Sequence, residues 1–170
     1  MEPITVKYKV LDSRAKVPAY ATSGSAAADL CAVLDEPLTV QPMQRVLVPT
    51  GLAIELPGAH AVALVYARSG LSIKHGLCMA NGVGVVDSDY RGELMVPLYN
   101  RPSYIVTRGE VGGDFVTKPT AALDITPVCI SRGQRIAQIL ILPVQHPAIV
   151  QVQQLSDTQR GNGGFGSTGR

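Results

Sequence analysis

Three observations predict an all-β domain. Apolar and polar residues alternate in Ile4-Thr5-Val6-Lys7-Tyr8-Lys9-Val10, the period of a half-buried strand and not of a helix. Gly, Pro, Asp and Asn then interrupt apolar runs at intervals of roughly ten residues, the rhythm of a β-sandwich or barrel. Finally, 17 Gly and 12 Pro among 170 residues leave little room for long helices. No strand–helix–strand alternation appears, so a parallel nucleotide-binding sheet is not expected.

In chain order, strands are predicted at 4–10, 45–48, 51–56, 61–67, 93–99, 104–107, 124–130, 136–142 and 149–155. One or two helical turns are expected over 69–75, with Ser69 as the N-cap. Segment 108–127 carries Gly109, Gly112, Gly113, Pro119 and Pro127 around Phe115. It reads as an extended excursion between two strands. Residues 159–170 contain Gly161, Gly163, Gly164, Gly166 and Gly169 and predict a flexible C-terminal lid on a single domain over 1–158.

Composition narrows the function classes. Charged residues make up 16%, against ~25% in ordinary soluble domains, so part of the surface is expected to be covered by other subunits. A net charge of +2 argues against a nucleic-acid binder, and neither a coiled coil nor a disordered chain fits the pattern. Cys31, Cys78 and Cys129 show no CxxC spacing, which excludes a disulfide framework and a zinc site and suits a reducing cytosol. His60, His75 and His146 show no ligand spacing either. No signal-like apolar segment opens the sequence, and no run approaches the ~18 apolar residues of a membrane helix. The expectation is a cytoplasmic, membrane-free protein.

Four segments carry candidate chemistry. Asp87-Ser88-Asp89-Tyr90-Arg91-Gly92-Glu93 is the densest charge cluster. It fits a polar turn between two strands, or a carboxylate at a strand end that deprotonates a water. A calcium loop is excluded, because Arg91 and Leu98 stand at the fifth and twelfth positions. Ala67-Arg68-Ser69-Gly70 follows a strong strand and offers cation, hydroxyl and backbone N–H groups to an anion. Arg132-Gly133-Gln134-Arg135-Ile136-Ala137-Gln138 is a basic turn running into an apolar strand, with the Gln138 amide inside it. The tail places Arg160, Phe165, Ser167 and Thr168 among its glycines, a composition that can close over a phosphorylated ligand. No GxxxxGK[ST] loop occurs.

Taken together, Ser25-Ala26-Ala27-Ala28-Asp29-Leu30, Ala67-Arg68-Ser69-Gly70-Leu71-Ser72, the stretch from Asn81 through Glu93, Gly133-Gln134-Arg135-Ile136-Ala137-Gln138 and the glycine tail resemble, in order and spacing, the five motifs of the homotrimeric dUTPase family. The resemblance covers nearly the whole chain. It implies a jelly-roll-type β-barrel, a homotrimer with active sites between subunits, and Mg²⁺-dependent hydrolysis of dUTP to dUMP and pyrophosphate. It further implies Asp87 as general base toward the α-phosphorus and Tyr90 as the wall that excludes a 2′-hydroxyl. Asn81, Gly84, Val85, Val86 and Met95 would border the uracil. Arg68, Ser69, Gly70 and Gln138 would take phosphate oxygens, while Phe165 stacks on the base and Arg160, Gly166, Ser167 and Thr168 close the lid. Mg²⁺ would be held mainly by the triphosphate and water, with Asp29 in its outer surroundings.

Departures are Ala27, Ala28, Ala67 and Arg132-Gly133-Gln134, none of which removes a reacting group. Segment 108–127 is longer than the family's usual turn. Some members with insertions there, notably phage-encoded ones, resemble regulators that bind other proteins, which makes a docking surface at 108–127 the alternative expectation. A related dCTP deaminase is a further alternative.

Overall fold

A computed structural model describes residues 5–111 and 114–163. Two antiparallel four-stranded sheets pack face to face. The first runs in the order β1 (Lys7–Val10), β4 (Arg45–Glu55), β8 (Glu93–Asn100), β6 (Leu77–Met79); the second runs β2 (Ala28–Cys31), β12 (Arg135–Pro143), β5 (Ala61–Ala67), β7 (Gly84–Val86). A short ladder joins β3 (Leu38–Val40) to β11 (Val128–Ile130), and a hairpin joins β9 (Ser103–Val111) to β10 (Asp114–Asp124). The fold is the predicted jelly-roll-like all-β class, with one helix, α1 (Ser69–His75), among the described residues. None of the described helices is long and apolar enough to cross a membrane.

Alternation explains the core. Along β8, Leu94, Val96, Leu98 and Asn100 are buried while Glu93, Met95, Pro97 and Tyr99 are half-buried on the opposite face. Leu30, Val65 and Ile139 of one sheet join Val48, Leu52, Ile54 and Val96 of the other in one cluster. Buried Asn100 is satisfied: its Nδ2 donates to Val40 O at 2.9 Å and to Thr126 O at 3.0 Å. It thereby ties the small ladder to the first sheet.

Several expectations change. The predicted strands 45–48 and 51–56 are one strand, β4, because Pro49, Thr50 and Gly51 form a bulge and not a turn. The excursion over 108–127 is largely the β9–β10 ladder, in which Val111 pairs with Asp114 and Ser103 with Asp124. β10 ends at Asp124 and β11 begins at Val128, so the predicted strand 124–130 is cut beside Pro127, which has no N–H to donate. Segment 149–155 forms no strand: Ile149 and Leu155 are 98% and 81% exposed, without a ladder partner among the described residues. The N-cap of α1 is Arg68 and not Ser69, and no side chain caps it. At the other end Gly76 holds φ = +68°, and a Cβ there would lie 2.5 Å from Arg101 O, so glycine is required.

Candidate active site

β7 leaves the second sheet beside β5, with Gly84 opposite Val65 and Val86 opposite Ala63. The chain then turns through 87–92 and enters the first sheet as β8. This strand–turn–strand path crosses from one sheet to the other and opens a pocket of about 250 Å³. Asn81, Gly84, Val85, Val86, Asp87, Tyr90 and Met95 all line it, so seven predicted site residues meet in one place. Leu47, Met79, Glu93 and Pro97 also line it; Glu93 belongs to the charge cluster singled out in the sequence but drew no role there, and the other three read as ordinary residues. Gly84 is close-packed, since a Cβ would approach Val65 Cβ to 3.1 Å.

The turn is held by its own polar groups. Tyr90 N donates to Asp87 O at 3.2 Å. Arg91 Nη1 donates to Ser88 O at 2.7 Å and to Tyr90 O at 3.0 Å. The Tyr90 hydroxyl donates to Glu93 O at 2.9 Å, so what Tyr90 presents to the pocket is a fixed ring and not a free hydroxyl. The ring folds over Gly92, where a Cβ would stand 2.5 Å from the Tyr90 oxygen. Asp87 accordingly projects from a braced loop. It also lines a wider recess of about 550 Å³ with Ser88, Asp89 and His146. Asp87 therefore stands where two recesses meet. The histidines are less isolated than their spacing suggests: the rings of His60 and His146 lie 6.3 Å apart.

The cationic residues gather elsewhere. On the outer face of the second sheet Gln138 of β12 sits between Asp29 of β2 and Tyr66 of β5. Arg68 Nε approaches Asp29 Oδ1 to 2.9 Å, without the alignment of a hydrogen bond, and Arg135 Nη1 donates to Asp29 Oδ2 at 3.0 Å. Arg68 Nη1 also reaches Arg135 O at 3.4 Å. Two guanidiniums share one carboxylate and leave a net positive charge beside exposed Ser69 and Gly70. Arg135 drew no assignment in the sequence, where it belonged to a basic turn. Cys31, next to this cluster on β2, is buried, and burial pushes its thiol above the ordinary range.

The two groups lie at opposite ends of β5. Val86 faces Ala63, so Asp87 is level with Val62, six residues from Arg68. At ~3.3 Å per strand residue the gap is roughly 20 Å. Arg160, expected over the ligand, folds locally: its Nε donates to Gly163 O at 2.8 Å, and Gly161 N donates to Thr158 O at 3.0 Å. Phe165, Gly166, Ser167 and Thr168 lie outside the described residues. Among the described residues no group of three His, Cys, Asp or Glu could hold a metal ion.

A sequence profile of the dUTPase family matches residues 13–109 and 120–169. Its two segments leave out 110–119, which take in the end of β9 and the first residues of β10. The deoxyuridine 5′-triphosphate nucleotidohydrolase of Desulfitobacterium hafniense (strain DSM 10664 / DCB-2) is 46% identical over 166 residues, 98% of this chain and 95% of that protein. The enzyme of the same name from Burkholderia cenocepacia is 44% identical over 164 residues, 95% and 96% of the two chains. Among solved structures, a variant of the Staphylococcus bacteriophage 80alpha dUTPase with dUpNHpp superposes with a TM-score of 0.77 at 27% identity, over 98% of this chain and 99% of that one. The dUTPase of phage phi11 of S. aureus, described with a species-specific insert, shares the fold at a TM-score of 0.69 and 23% identity, over 91% and 99%.

Proposed function

The chain belongs to the dUTPase family and is a dUTP diphosphatase, releasing dUMP and pyrophosphate; from that premise we propose which residues do the work. The observation that carries the proposal is the position of Asp87 at the meeting of two recesses. The smaller recess takes uracil and deoxyribose. Asn81 and the backbone of Gly84, Val85 and Val86 read the base edge beside Met95, and a 4-amino group would meet an unsuited partner, which disfavours dCTP. The Tyr90 ring fills the space a 2′-hydroxyl would need. The larger recess receives the phosphates, and the Asp87 carboxylate orients a water toward the α-phosphorus and accepts its proton.

Mg²⁺ fits this site as a nucleotide-borne ion. The described residues offer Asp87 and Asp89 near the phosphates but no full set of protein ligands, and an ion with this preference keeps phosphate and water ligands. When bound, it offsets charge on the polyphosphate. Asp29, expected in the outer surroundings of the ion, has its carboxylate engaged by Arg68 and Arg135. We assign it the task of holding those guanidiniums in place.

A triphosphate cannot bridge roughly 20 Å of strand between Asp87 and Arg68 of one chain. The phosphate set of Arg68, Ser69, Gly70, Arg135 and Gln138 therefore serves a nucleotide held by another copy, and a homotrimer closes the arrangement with three equal sites. The same assembly covers the exposed apolar segment 149–155 and brings Arg160, Phe165, Gly166, Ser167 and Thr168 over a neighbour's ligand. No nucleic acid or membrane is required, and the location is cytoplasmic.

Release of pyrophosphate and ammonia from dUTP, dCTP, UTP and dTTP, with Asp87→Asn and a truncation after Thr158, tests the whole scheme. Turnover confined to dUTP, abolished in Asp87→Asn and reduced without the tail, is expected. Ammonia from dCTP would indicate the deaminase instead. Because the family profile skips 110–119, a second reading makes the hairpin within 108–127 a docking surface for a protein partner. Excision of 111–120 should then leave turnover intact.

A further inference from the structure

From Pro49 to Ala53 strand β4 takes four steps where β8 takes two, from Met95 to Glu93. The surplus residues fall out of the ladder, and two hydrogen bonds involving side chains link them to β8 instead. Thr50 Oγ1 donates to Leu94 O at 2.6 Å, and Gly51 N donates to Glu93 Oε1 at 2.7 Å. Gly51 is closely packed and hydrogen-bonded there. Its φ is +66°, a Cβ would come within 2.9 Å of Ala15 Cβ and 3.0 Å of Asp12 Cβ, and its carbonyl accepts from Leu11 N at 2.8 Å. The Glu93 carboxylate thus ties the first residue of β8 to a fixed point of the barrel.

The same residue receives the Tyr90 hydroxyl on its backbone carbonyl and lines the pocket beside Tyr90 and Asp87. Arg91 braces the turn as well, but its bonds run to Ser88 and Tyr90, so it moves with the turn and anchors nothing outside it. The chain of contact is Gly51 N–H, Glu93 carboxylate, Glu93 carbonyl, Tyr90 hydroxyl, Tyr90 ring. We propose that Glu93 is a positioning residue: by accepting the Gly51 N–H it sets the Tyr90 ring and so fixes how strongly the enzyme rejects UTP. The inference rests on the reading of Tyr90 as the wall against the 2′-hydroxyl. A charged acceptor makes a short, strong bond, and a ring displaced by about 1 Å is enough to change reaction geometry.

Steady-state kcat and KM for dUTP and UTP, with Tm and the exchange rate of the Gly51 amide, should be measured for Glu93→Gln, Glu93→Asp and Glu93→Ala. The glutamine keeps an acceptor oxygen at the same reach and should retain discrimination within about threefold. The aspartate falls one methylene short and the alanine has no acceptor. Both should lower the dUTP-over-UTP ratio of kcat/KM by about tenfold or more, chiefly through KM, with faster Gly51 exchange. Unchanged discrimination in folded Glu93→Asp overturns the proposal even if Glu93→Ala does not fold. An equal loss in Glu93→Gln overturns it too, because the acceptor would be present without the effect. Tyr90→Ala, run alongside, separates the two readings. If it leaves the ratio unchanged, the role given to Tyr90 has failed. Glu93 is then judged on the Tyr90 ring resonances, which displacement in Glu93→Asp supports and constancy refutes.

Discussion

The two ends of β5 make an instructive pair. Near Ala63 the chain builds a pocket from backbone, aliphatic walls and one ring, braced by Arg91, Tyr90 and Glu93. Near Arg68 it sets three charged side chains against one another on an open sheet face. The first arrangement discriminates by shape and by hydrogen bonds fixed before a ligand arrives. The second supplies charge, tolerates different ligand shapes and is exposed to salt. Selectivity for the base and sugar therefore belongs to one end, and affinity for phosphate to the other.

The comparison breaks most visibly at Asp87. Asp87→Asn should lower kcat for dUTP by about 10³-fold with KM little changed, as measured by pyrophosphate release; a change confined to KM would make Asp87 a binding group only. Arg68→Ala should cost about 10²-fold in kcat/KM while leaving deoxyuridine binding untouched. Arg68→Lys should not restore it, since a single ammonium nitrogen cannot take the two separate positions that Nε holds against Asp29 and Nη1 holds toward Arg135 O. Asp29→Asn keeps the shape and removes the charge that gathers the two arginines. A KM rise of about tenfold with unaltered dUTP-over-UTP preference is expected, and loss of that preference would show that the two ends are not independent.

Smaller effects sharpen the contrast by touching neither end. Gly76→Ala should lower stability by about 1 kcal/mol or more, read in urea unfolding, with both recognition functions preserved in the folded fraction. Burial, then the charge of Tyr20, pushes the Tyr8 hydroxyl up to about 12. Its folded value lies above the unfolded one, so its contribution is whole below pH 10 and lost as pH rises toward 12. Tyr8→Phe should flatten that alkaline fall in Tm without altering turnover at neutral pH.

Most of the pocket was legible because it is local. Asn81 through Met95 fold back through a single turn, and adjacency in the chain becomes adjacency in space. What stayed hidden depends on distant partners. Pro49-Thr50-Gly51 reads as a break between two strands, yet Glu93 and Thr50 supply the bonds that carry β4 through it. Arg135 reads as one cation of a basic turn until β2 brings Asp29 beside it. The strands β2, β3 and β6 are three or four residues long, too short for alternation to register. Segment 149–155 has the opposite history. Its apolar pattern says that a face is to be covered, but not by which molecule, and within one chain nothing among the described residues covers it.

The bulge in β4 has a further consequence, for the kinds of change this sequence can absorb. Its surplus over β8 is two residues, an even number, so Val48 before it and Leu52 and Ile54 after it all point into the same core. Deleting Gly51 alone would make the surplus odd and turn Leu52 and Ile54 outward while Ala53 and Glu55 turned in. Single-residue insertions and deletions between Pro49 and Ala53 should therefore be far less tolerated than paired ones. Length at this point is counted modulo two.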